Sequence, residues 1–142
     1  MSSVARRYYE RGRASLDSGD LASAQEALRA ALDLAPSYGN ARVAYAIALA
    51  RSGDCPRGAQ VLRAGLAHAS SPISAAAMQA TLGDVLVLGG DFFGAEQAFQ
   101  QAKQTPGFEA RVASGLARVY ARLGRYNDMA TELKTAASLT KK

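Results

Sequence analysis

The chain has 142 residues, enough for one ordinary domain with a sizeable core, and 49% of them are apolar although tryptophan is absent. A net charge of +5 with one cysteine and one histidine excludes an internal disulfide and a multi-cysteine metal site, and leaves a histidine-based catalytic centre without partners. Much of the apolar share is alanine, the strongest helix former, and β-branched residues never alternate over a useful length, so an all-α chain is predicted.

Arg6-Arg7 is followed by no apolar run, and no uncharged apolar segment of about 18 residues occurs. Neither a secretory signal nor a membrane-spanning helix is predicted, and a cytoplasmic protein is expected. A domain excised from a longer polypeptide would also suit the two ends.

Four glycines set the organisation. Gly19, Gly53, Gly90 and Gly124 are separated by 34, 37 and 34 residues, a 34-residue period with a short insert at 73–75, where the Ser70–Ser74 cluster reads as a longer loop. The first unit, about 5–38, predicts helices over Val4–Asp17 and Leu21–Leu34. Asp20 stands at the N-cap of the second helix and Gly19 at the C′ place of the first. Leu21, Ala24, Leu28, Ala31 and Leu32 share one face, and Pro36 stops the helix. The second unit, 39–72, predicts helices over Asn40–Arg51 and Pro56–Ala69, with Tyr45, Ala46, Leu49, Leu62 and Leu66 in the packing register. Gly58 and Gly65 each cost an exposed helix about 1 kcal/mol against alanine, so this second helix is predicted to be the weakest.

The third unit, 76–109, holds Leu82, Gly83, Leu86, Phe92, Ala95, Phe99 and Ala102 in register, with Pro106 closing its second helix. The fourth, 110–142, carries Leu116, Ala117, Tyr120, Tyr126, Met129, Leu133 and Ala136. Tyr8, Tyr45, Tyr120 and Tyr126 are expected in the core. The face of Tyr126, Met129, Leu133 and Ala137 has no following helix to cover it, which predicts self-association or a continuation of the chain.

A 34-residue helix–turn–helix period resembles the tetratricopeptide repeat family, and the resemblance runs from about residue 5 to the end. Gly12, Ala24, Leu28, Ala31 and Pro36 match the family's small, small, large, small and proline places, and Tyr8 stands where tryptophan is usual. Arg11 and Ser15 depart from the pattern, as a polar capping face would. The resemblance implies one domain over 1–142, a right-handed superhelical solenoid of antiparallel helix pairs in four repeats, with a concave face that serves as ligand groove.

No catalytic constellation can be assembled: there is no phosphate loop, no H-E-x-x-H and no Cys/His ligand set, so neither cofactor nor metal is expected. Gly89-Gly90-Asp91 is a turn between helices, Cys55 reads as a buried thiol, and His68 as a surface group at a helix end. A binding face is derivable from the first helix of each unit. It holds Arg6, Tyr9 and Arg13 in the first, Val43, Ile47 and Arg51 in the second, Asp84, Val87 and Leu88 in the third, and Arg111, Arg118 and Arg122 in the fourth. Val43, Ile47, Val87 and Leu88 have no packing role within their own repeats, so a partner could cover them.

An apolar middle flanked by arginines at both ends suits a peptide or helix of another protein with apolar anchors and acidic flanks. The family's clamp for the C-terminal carboxylate of heat-shock chaperones would fall near Tyr9, Arg13, Ala44, Ala77 and Thr81, where only Arg13 could contribute, so that subtype is not expected. Nucleic acid is disfavoured because stacking aromatics are not interleaved with the arginines. The reading is a non-enzymatic interaction scaffold. The alternatives are a secretion- or pilus-type chaperone or assembly factor, which small repeat proteins of this kind resemble, and an accessory domain of an enzyme or sensor.

Overall fold

The computed structural model describes residues 2–140, which form eight α-helices and no strand: α1 Ser3–Asp17, α2 Leu21–Leu34, α3 Gly39–Arg51, α4 Cys55–Leu66, α5 Pro72–Leu88, α6 Phe92–Lys103, α7 Glu109–Arg122 and α8 Tyr126–Thr140. They pair as α1–α2, α3–α4, α5–α6 and α7–α8, and each pair packs on the next.

One turn chemistry closes every pair. Gly19, Gly53, Gly90 and Gly124 take φ of 84°, 99°, 85° and 75°, the left-handed region that glycine enters without steric cost. The next residue then donates its N–H back across the turn, Asp20 to Ser15, Asp54 to Leu49 and Asp91 to Leu86 at 2.9 Å each, and Arg125 to Tyr120 at 2.8 Å. In the first three turns the same aspartate also caps the following helix, accepting from the N–H of Ser23, Arg57 and Gly94.

The three-residue insert behaves differently from the expected loop. Ser71 caps and Pro72 opens α5, which thereby reaches 17 residues against 13 for α3. In the preceding repeat the second helix, α4, ends at Leu66, three places short of Ala69.

The odd-numbered helices touch one another along the chain (α1 with α3, α3 with α5, α5 with α7), whereas no even-numbered helix reaches the next even one. Odd helices therefore form the inner row of a curved solenoid and even helices its outer row. Between the rows lies an alanine-rich core. One residue anchors each of the first three outer helices: Leu28, Leu62 and Phe99 are fully buried, while the equivalent Leu133 of α8 is 51% exposed. With it stands Tyr126, 64% exposed, so this tyrosine is not a core residue. Tyr45 and Tyr120 are buried as expected, and Tyr8 is half-buried under the Arg11 guanidinium, 5.3 Å from its ring centre.

Helical glycines mark where the rows meet. The Phe99 ring lies between Gly83 of α5 and Gly115 of α7, where an added Cβ would come within 2.6 Å and 2.5 Å of ring carbons. Gly58 and Gly65 are likewise buried, which corrects the reading of α4 as an exposed, weakened helix. A Cβ at Gly58 would meet the Ala46 carbonyl oxygen at 2.9 Å, and one at Gly65 would overlap the Arg42 side chain. Through the slot that Gly65 leaves, the Arg42 guanidinium donates to the carbonyl oxygens of Val61 (3.1 Å) and Pro36 (2.9 Å). Burial lowers the pKa of this group.

Candidate partner-binding face

Equal offsets between repeats set residues of the inner helices in rows. One row is Arg13, Ile47, Asp84 and Arg118; its neighbour is Asp17, Arg51, Leu88 and Arg122. Each of the twelve candidate residues sits on an inner helix, but they differ in how free they are.

At the α1 end the charges are matched. Arg13 pairs with Asp17 at 3.7 Å, both largely in water, a contact of about 0.3–0.5 kcal/mol. Tyr9 is half-buried against Tyr38, ring centres 5.1 Å apart. Arg6 and Glu10 are exposed on the same helix. In the middle, Val43 and Val87 pack on the larger apolar cluster and Ile47 on the smaller one. These three side chains therefore have a packing role, shared with neighbouring repeats, that the reading within single repeats missed. Leu88 remains outside, 66% exposed at the last turn of α5.

At the α7 end the arginines converge on one carboxylate. Asp84 accepts from Arg118 at 2.7 Å and from Arg111 at 3.2 Å, and Arg111 also donates to the Thr81 hydroxyl at 3.2 Å. Arg122 lies over the Phe92 ring, 4.9 Å from its centre, and neither it nor Arg51 has an ion pair among the described residues. Around Leu88 the face thus presents Arg51, Arg111, Arg118 and Arg122 against Asp84 alone. The expectation of a basic flank at each end needs correction: the α1 end is balanced, and the excess lies at the α7 end.

The other groups singled out from the sequence stand apart. Cys55 opens α4, half-buried, with its thiol 3.9 Å from the Ala50 carbonyl oxygen. His68 is exposed two residues beyond α4. On the outer side, burial with Glu96 beside it pushes the Tyr120 phenol up to about 12, and Arg125 covers that ring at 4.5 Å while pairing with Glu96 and Asp128. Among the described residues there is no His/Cys/Asp/Glu group able to hold a metal ion, and no helix long and apolar enough to cross a membrane.

Paired helices stacked into a curved double row define a helical-repeat solenoid, the class of protein that presents surfaces to other proteins. The tetratricopeptide repeat family model matches residues 15–82, and the same turn and inner row recur through α7 and α8, so the chain carries tetratricopeptide repeats. No curated protein matches it. Among solved structures it is similar to pilF of Pseudomonas aeruginosa (TM-score 0.85, 21% identity, 97% of this chain and 62% of that one). It is also similar to TTC0263, a thermophilic tetratricopeptide protein of Thermus thermophilus (0.74, 22%, 99% and 76%). MamA from Desulfovibrio magneticus is a further neighbour (0.79, 19%, 96% and 76%). At these identities the likeness is one of fold.

Proposed function

We propose that the protein is a non-enzymatic scaffold that docks a peptide or helical segment of another protein on its inner face, with an apolar anchor at Leu88 and acidic residues toward α7. The observation that carries this reading is the unmatched basic cluster around an exposed leucine. Three of its arginines are tied only to a shared carboxylate, the Thr81 hydroxyl and an aromatic ring, and a ligand carboxylate could be received by their forked donors in pairs. Repeat scaffolds work in this way because a row of rigid helices presents side chains at fixed spacing, without the ordering cost that a loop would add.

A photo-crosslinking side chain in place of Leu88, with the same group in place of the outer-row Gln97 as control, tests it in lysate. The expected result is a discrete protein adduct from the inner position that is lost when Arg118 and Arg122 are changed to glutamate. An adduct insensitive to those changes, or equal yield from both positions, would sink the reading.

A further inference from the structure

Three clefts run along the outer row, one between each pair of neighbouring even-numbered helices, and an ion pair spans the last of them. Between α2 and α4, each wall is tied only to α3 beneath it, Gln25 donating to the Ala48 carbonyl oxygen (3.4 Å) and Arg57 to the Tyr45 hydroxyl (3.3 Å), and about 390 Å³ stays open between them. Between α6 and α8, Arg125 joins Glu96 at 3.1 Å and Asp128 at 2.9 Å across the Tyr120 ring. The middle cleft, between α4 and α6, is open at about 660 Å³, within the range of ligand pockets of about 300–1,000 Å³. Gln79, Gln97, Gln100 and Gln101 line it, and none of their side chains makes a hydrogen bond within the protein among the described residues.

We propose that this middle outer cleft binds an extended, uncharged segment of a partner polypeptide through hydrogen bonds from glutamine amides to its main chain. Each carboxamide offers an N–H donor pair beside a carbonyl acceptor, the same pattern that a peptide group presents in reverse. Spacing supports the match. Gln97 and Gln101 stand one helical turn apart along α6, about 6 Å, and an extended strand repeats the same main-chain edge every two residues, about 6.6 Å. A strand lying along α6 would then meet both amides in register, with Gln79 facing it from α5. Its alternate side chains would point at a floor made by Leu82 and Leu86, which are 5% and 8% exposed and leave room only for small or slim apolar groups.

Charge selects the ligand class. The cleft carries one group of each sign, Arg63 and Glu96, and no aromatic ring lines it. A nucleic acid strand would need several cations for its phosphates and rings for its bases, so the cleft is unsuited to it. This site is separate from the inner face and does not depend on the reading given to that face.

Titration of the protein with the capped hexapeptide acetyl-(Ser-Val)₃-amide, followed by NMR of the glutamine side-chain amides, tests the proposal. The Gln79, Gln97 and Gln101 signals should shift and the Gln25 signal should not. Both Gln97→Ala with Gln101→Ala and N-methylation of alternate peptide groups should weaken binding by about tenfold. Both glutamines are exposed, so the double variant should keep its fold. Arg118→Glu should leave these shifts unchanged, which separates this site from the inner one. The proposal is overturned by unmoved glutamine signals at millimolar peptide, by equal binding of the N-methylated peptide, or by loss of the shifts in Arg118→Glu. It is overturned equally if oligodeoxyadenylate moves the same signals and the peptide does not.

Discussion

Phe99→Ala is expected to lower the unfolding free energy by about 4 kcal/mol, the usual cost of emptying a fully buried aromatic site. The side chain is 0% exposed and lies between Gly83 and Gly115, so the void would open on α5 and α7 together and weaken the joint between two repeats. The sharper test is the opposite change. Gly115→Ala removes a helical glycine, which by propensity alone should stabilise α7 by about 1 kcal/mol. A Cβ there would stand 2.5 Å from the ring, and the ring cannot retreat because Gly83 leaves no more space on its far side. Overpacking of this kind costs about 1–3 kcal/mol, so a net loss is expected, and Phe99→Leu in the same chain should recover part of it. Urea titration monitored by circular dichroism distinguishes the two signs. A more stable Gly115→Ala would mean that the ring has room to move, and the clamp would be refuted.

On the inner face, exchanging Arg118 and Arg122 for glutamate should weaken a ligand with acidic flanks by about tenfold per position at low salt, and less as ionic strength rises. Asp84→Asn should do the reverse. It releases Arg111 and Arg118 from their shared carboxylate while keeping a hydrogen-bonding side chain, so affinity for the same ligand should rise several-fold. A suitable probe is a labelled helical peptide with leucines on one face and glutamates at one end, followed by fluorescence anisotropy. Asp84→Asn that weakens binding would show that the carboxylate orients the arginines rather than competes for them, and the charge assignment around Leu88 would have to be redrawn.

How much of this was readable from the chain differs by feature. The turns were legible because their chemistry is local: a glycine at one period followed by aspartate or arginine fixes both the end of one helix and the start of the next. The anchors Leu28, Leu62 and Phe99 were legible for the same reason, as large residues at one place in the period. Gly115 was not, since its meaning comes from a ring 16 residues earlier on another helix. Gly65 looked like a flaw in α4 until Arg42, from α3, was seen to fill the space that it leaves. The inner-face arginines were placed on the right helix, but their bond to Asp84 crosses repeats, at separations of 27 and 34 residues. Only the second of these equals the period. Tyr126 holds a core place in the pattern and is exposed, because among the described residues no helix packs over that face of α8.

The uneven strapping of the outer row also bears on how the molecule deforms. Inner helices in contact act as a spine, so bending must be taken up by opening or closing the outer clefts. The Arg125–Glu96 ion pair stiffens the α6–α8 cleft, and the two unlinked clefts, α2–α4 and α4–α6, become the compliant ones. The last two repeats are then expected to move as one plate against the first two. Widths sampled by spin labels in place of Arg63 and Gln97 should spread more broadly than those across α6 and α8. Equal spreads would mean a uniformly stiff rod. In such a hinge the two faces are mechanically opposed: whatever wedges into the outer side tightens the curve of the inner one.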